Sequence, residues 1–150
     1  MLLCEAAQLA EGKLYILGAG WSVTGPDPTP SAIAIILDVE WTELDYPHHW
    51  ELFLVDEDGQ EIVVDTPDGP QPIEARGDFE VGRPPGVPEG SPLSVPFAVS
   101  WAPLPLQPAR RYTWRLSIDG QNKSEWQCSF STRPPLPPAP EGAEDGPSLV

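Results

Sequence analysis

Basic side chains are scarce in this 150-residue chain: eight lysines and arginines stand against 23 acids, a formal net charge of −15. Phosphate backbones need a cationic surface, so the balance argues against a nucleic-acid partner. It also opposes adsorption to an anionic membrane face. Long apolar runs are missing too. No stretch of about 18 residues is uninterrupted by polar ones, so no helical membrane span is expected. The opening MLLCE carries neither a basic segment nor a long apolar one, so no secretory leader is expected. The expected location is the cytoplasm, or the virion if a phage encodes the chain.

Histidine and cysteine number two each, too few for the familiar clustered metal sets. His48 and His49 are adjacent, and neighbouring residues of a strand face opposite sides, so the two rings cannot readily share one ion. No G-x-S-x-G elbow is present, which removes one hydrolase signature. The Gly18-Ala19-Gly20 run lacks the Lys-Ser/Thr and the helix that a phosphate loop needs. Cys4 and Cys128 fall in the first and last expected strands. A bridge between them is conceivable, but in a reducing compartment two buried free thiols are expected.

What the chain does have is 21 prolines, 13 glycines and six tryptophans, with 40% hydrophobic residues. Proline and glycine at that density break helices and punctuate short strands, and together with the apolar content they predict an all-β domain with a real core. The clearest stretch spans residues 104–120. Tyr112, Trp114, Leu116 and Ile118 alternate with Thr113, Arg115, Ser117 and Asp119, one buried and one wet face. Asp119-Gly120 then supplies a turn, and Trp126, Cys128 and Phe130 alternate behind it, a hairpin. Just upstream, Leu106, Pro108 and Tyr112 spell L-x-P-x-x-x-Y. This resembles the corner of fibronectin type III and other immunoglobulin-like sandwiches, in which a tyrosine hydroxyl bonds back to the loop backbone.

Taken in order, residues 2–8 read as a first strand and 12–24 as a second, with Gly18 and Gly20 allowing a bulge or a close backbone approach. The GPDPTP loop covers 25–30. Residues 31–41 form the main core strand, with Ile33, Ile35, Leu37, Val39 and Trp41 on one face. Ala32, Ala34 and Ile36 make the other face apolar at its start, so that end is expected to be covered on both sides. Trp50, Leu52 and Leu54 lead to a turn at Asp58-Gly59, from which 62–64 returns. Residues 66–72 read as a loop, 73–81 as a half-exposed strand with charges outside, and 82–92 as a long loop. Residues 93–101 form another strand, which Pro96 marks as an edge or bulge. The boundaries are thus a sandwich at 1–132, of about seven to nine strands, and a Pro-rich, acidic tail at 133–150.

The runs Glu11–Trp21 (EGKLYILGAGW), Thr24-Gly25-Pro26, the Asp58-Gly59 hairpin, FEVGRPP at 79–85 and the strand at 112–120 are similar to a family of short bacterial and phage proteins. That family is a domain of unknown function, and the resemblance implies no activity, cofactor or catalytic residue.

Other candidate sites have plain readings. Asp56-Glu57-Asp58-Gly59 lacks the remaining ligands and helices of a calcium loop and reads as a solvated turn. Asp78 and Glu80, about 7 Å apart on one strand face, read as a charged stripe. At least four of the six tryptophans sit on core parity; Trp21, beside a Gly/Pro loop, is the expected exposed anchor. Arg133-Pro134-Pro135-Leu136-Pro137 resembles a ligand for proline-binding grooves but reads as a stiff spacer or strap. The expected function is a non-catalytic interaction module, an accessory part of a larger assembly such as a phage capsid decoration protein. Its protein partner would be met through Trp21, Pro26, Pro28, Arg83, Pro84, Pro85 and residues 133–137, without cofactor or metal. The alternative is a small-molecule or carbohydrate-binding domain using exposed tryptophan and loops.

Overall fold

The computed structural model describes residues 1–139; the acidic end of the expected tail, 140–150, lies outside the described residues. Among the described residues the protein is all-β, with a single 3-10 turn at Trp41–Glu43 and no α-helix. One sheet has three strands in the order β1 (Leu2–Cys4), β5 (Ser31–Val39), β10 (Leu93–Trp101). A second has five, in the order β4 (Val23–Thr24), β12 (Gln121–Thr132), β11 (Arg111–Ile118), β6 (Pro47–Val55), β9 (Glu74–Glu80).

The alternation in the sequence explains how the two sheets share one core. Ile33, Ile35, Leu37 and Val39 of β5 join Leu52 and Leu54 of β6, Tyr112, Trp114 and Leu116 of β11, and Phe130 of β12. Each set occupies every second position of its strand, so one face of each sheet is apolar and the two faces close on each other. Aromatic rings bridge the gap: Trp101 of β10 stacks on Trp114 at 4.6 Å between centroids, and Trp50 of β6 meets Phe97 of β10 at 5.3 Å. Gly77 of β9 leaves room for Trp50, since a Cβ there would lie 2.9 Å from the indole nitrogen. Pro96 sits on β10, which pairs only with β5 and is an edge of its sheet, the usual place for a strand proline.

The expected hairpin of β11 and β12 forms, with Asp119 and Gly120 at φ 49° and 77° and Ile118 paired with Gln121. Its ladder slips between Arg115 and Ser117, so the chain at Lys123–Trp126 bulges away from β11. The corner motif forms as well: the Gln107 N–H donates to the Tyr112 hydroxyl at 3.0 Å.

Three expectations need correction. The first two expected strands are instead β1, a hairpin of β2 (Ala6–Ala10) and β3 (Lys13–Leu17), and the short β4. Glu11-Gly12 supplies the turn, with φ 52° and 71°, a pair of left-handed residues suited to a two-residue hairpin. This hairpin covers only part of the outer face of β5. Cys4, Ala32 and Ala34 are buried beneath Ala7 and Leu14, while Ile36, two residues on, is 60% exposed. Residues 66–72 are not simply a loop. β7 (Val63–Thr66) pairs with β8 (Gly69–Pro72), and Pro70 and Pro72, two apart, place both missing donors on the same side of the strand.

Candidate functional site

The expected contact residues separate into two groups at opposite ends of the molecule. β5 runs from Ser31 to Val39 and pairs antiparallel with β10, Ser31 opposite Trp101 and Val39 opposite Leu93. The 25–30 loop precedes Ser31 and the 82–92 loop precedes Leu93, so the two loops are roughly 27 Å apart, eight strand steps.

At the first end, Arg133 ties the chain exit to the 25–30 loop. Its N–H donates to the Thr24 carbonyl at 2.8 Å and its guanidinium to the Gly25 carbonyl at 2.9 Å. Pro26, Pro28, Arg133, Pro134, Pro135, Leu136 and Pro137 are all exposed here, Leu136 at 76%. Trp21 is not the exposed anchor the sequence suggests. It is half-buried, its ring edge-on to Phe130 at 5.5 Å, because the glycines before it let the chain fold the indole back over the open end of the core. All six tryptophans pack in or against that core.

At the second end, Arg83 is engaged within the chain. Its guanidinium lies 5.0 Å over the Trp41 ring, donates to the Trp41 carbonyl at 3.2 Å and meets Asp45 at 3.4 Å. Pro84 and Pro85 remain exposed beyond it. Beside this loop the sheets part to leave a hollow of about 260 Å³ lined by, among others, Val39, His48, Phe79, Asp119 and Trp126. The Lys123 ammonium stands 4.7 Å over the Trp126 ring within it.

The histidines take separate partners, as strand alternation requires. His48 is 10% exposed; Nδ1 meets Asp119 at 2.7 Å and Nε2 meets the Glu43 carbonyl at 2.8 Å. Both ring nitrogens therefore face acceptors, which favours the doubly protonated ring, and the Asp119 hydrogen bond, then that carbonyl, raise its pKa. The same bond, with the His49 N–H, holds Asp119 below the ordinary carboxylate range. His49 points the other way, to Asp78 at 2.7 Å and Glu51 at 3.3 Å. Each ring thus has an acceptor at both of its nitrogens.

The remaining candidates are occupied as structural groups. Asp56 Oδ1 accepts the N–H groups of Asp58 and Gln60, both at 2.9 Å, and Glu57 accepts that of Arg111 at 3.1 Å. These carboxylates hold the turn. Cys4 and Cys128 are free thiols. Burial raises both, Cys128 to about 11, so neither is a ready nucleophile.

The sequence reading passed over one surface, the β2–β3 hairpin. Leu9 is 48%, Tyr15 55%, Ile16 41% and Leu17 67% exposed. The signal was present in Glu11-Gly12 between two short apolar runs.

A model of a family of unknown function, DUF6941, matches residues 1–130. The chain belongs to that family. No curated protein and no solved structure matches it.

Proposed function

We propose that this DUF6941 member is a non-catalytic interaction module on an immunoglobulin-like sandwich, an accessory component of a larger assembly of which a bacteriophage capsid is one kind. The strand orders support the fold assignment. With β1, β5 and β10 as A, B and E, and β12, β11, β6 and β9 as G, F, C and C′, the sheets read ABE and GFCC′, with the tyrosine corner at the start of F.

The observation that carries the interaction reading is the Arg133 lock. Two bonds fix the exit of the chain against the 25–30 loop, and Pro134–Pro137 leave it in a stiff, proline-limited conformation with Leu136 76% exposed. An exposed apolar side chain on a pre-ordered segment loses little entropy on docking. The test is light scattering after size exclusion of the chain isolated from its own source, followed by cross-linking from residues 134–137. Co-elution with a larger complex and a cross-linked neighbour are expected. A monomer without cross-links would defeat the reading.

A second reading, a small-molecule or carbohydrate site, rests on the 260 Å³ hollow at the other end with Phe79 and Trp126 in its wall. Lys123 over the Trp126 ring counts against it, since stacking on that indole would first have to displace the ammonium.

A further inference from the structure

One strand edge of the β2–β3 hairpin is open. The two-residue turn makes Ala10 and Lys13 a closing, hydrogen-bonded pair, and by alternation Gln8–Tyr15 and Ala6–Leu17 are hydrogen-bonded pairs too. The N–H and C=O groups of Leu14 and Ile16 therefore point away from β2, to the outer side of β3. Among the described residues no strand pairs there. Tyr15, Ile16 and Leu17 form a run of three exposed apolar residues on this strand, and such a run on an unpaired edge is a template for pairing unless it is blocked. β3 carries no proline and one charge, on Lys13.

The geometry points to β3 as the acceptor edge for strand addition by an extended segment of another protein, one that alternates apolar side chains with lysine or arginine. Leu14 and Ile16 would supply the main-chain bonds, and Tyr15 and Leu17 the apolar contacts on the solvent face. The charge of the occupant follows from the formal net charge of −15, which draws in a basic segment and repels a second copy. Glu5 and Glu11 flank the strand at its two ends. This deepens the interaction-module reading and rests on it in one respect, that the partner is a protein. It does not involve the residues of the Arg133 strap.

The test uses the full chain and three synthetic hexapeptides: alternating lysine and valine, alternating glutamate and valine, and the lysine peptide N-methylated on alternate amides. Amide exchange at Leu14 and Ile16 should slow by about tenfold with saturating lysine peptide and change little with the other two. Ile16→Pro removes an outward donor without touching a β2 bond, so Leu14 protection by the peptide should vanish while the Tyr15 amide stays protected. Tyr15→Lys alters only an exposed side chain and should weaken the peptide effect several-fold, which keeps the test alive if the proline variant opens the hairpin. No slowing at Leu14 and Ile16, or equal slowing by the glutamate peptide, would overturn the proposal. So would concentration-dependent dimers in which these amides are already protected, which would assign the edge to a second copy. The strap's cross-links and these amides are read separately, so either idea can fail alone.

Discussion

β3 and β9 are both edge strands, and they meet the same hazard in opposite ways. β9 alternates Glu74, Arg76, Asp78 and Glu80 along its outer face, and the first three are tied down: Arg76 to Glu74 at 2.6 Å and Glu51 at 3.6 Å, Asp78 to His49 at 2.7 Å. A foreign strand would have to lie beside that row of charges, the usual protection of a sheet edge. β3 presents Tyr15, Ile16 and Leu17 instead. Among the described residues the chain guards one margin and leaves the other bare, and the bare one is where the proposed partner strand would pair.

The two edges also differ in what a glycine on them does, and this gives the largest expected effect. Gly77 of β9 faces the Trp50 indole, and a new Cβ would lie 2.9, 3.0 and 3.1 Å from three of its atoms. The ring is packed on Phe97 and has little freedom to retreat. Gly77→Val should therefore cost about 1–3 kcal/mol in denaturant unfolding, as overpacking does. Gly18, just past β3, has φ 62°, and a Cβ there would meet the end of the Glu5 side chain at 2.6 Å. That side chain can swing into solvent, leaving mainly the left-handed backbone penalty, so Gly18→Ala should cost on the order of 1 kcal/mol. Equal losses would mean that Trp50 is not fixed in the way described.

A second difference is response to pH. The β6–β9 side holds both histidines, while no histidine occurs in β2 or β3. The raised His48 pKa means that the ring's contribution is complete below its unfolded value of about 6.5 and is lost as pH rises through the higher folded value. Asp119 works in the other direction: its lowered pKa adds stability above the ordinary carboxylate range, lost as pH falls through the folded value. The pair is thus most stabilising between those limits. In Asp119→Asn the His48 ring should titrate at lower pH by NMR than in the parent chain, the Glu43 carbonyl still favouring the charged ring, with the Tyr15 and Leu17 amide shifts flat over the same range. A His48 titration unchanged by that substitution would break the assignment.

How much of this was readable beforehand depends on whether a residue's environment is local. The β11 strand, its Asp119-Gly120 turn and the Tyr112 corner are set by periodicity and turn chemistry within a few residues, and they form where expected. The face expected to be wet is not, since Ser117 is 6% exposed and Thr113 and Arg115 are half-buried in a strand flanked on both sides. Ile36 was misjudged because the hairpin that covers Ala32 and Ala34 stops short of it, a matter of tertiary length that no local pattern carries. Trp21 was misjudged for a related reason: it borders a Gly/Pro loop, yet the chain turns its ring onto Phe130, 109 positions away in sequence. The pairing of His48 with Asp119 is equally remote, 71 positions apart. β8 was hidden by its own prolines, which weigh against a strand unless their shared parity is noticed.

The smallest expected effect is also the most direct check on what the bare edge is for. Leu17 is 67% exposed, so replacing it removes little buried area, and Leu17→Lys should shift unfolding stability by no more than about 0.5 kcal/mol. Its N–H and C=O face β2 in the Ala6 pair, and the substitution leaves them in place. A side chain retained for the fold would make itself felt in the unfolding curve. One retained for a partner would be silent there and costly in binding, since a second positive charge on the strand that already carries Lys13 would repel the proposed basic segment. A stability loss of about 2 kcal/mol or more would mean that Leu17 is packed against the protein itself, and β3 would then be a covered strand instead of an open one.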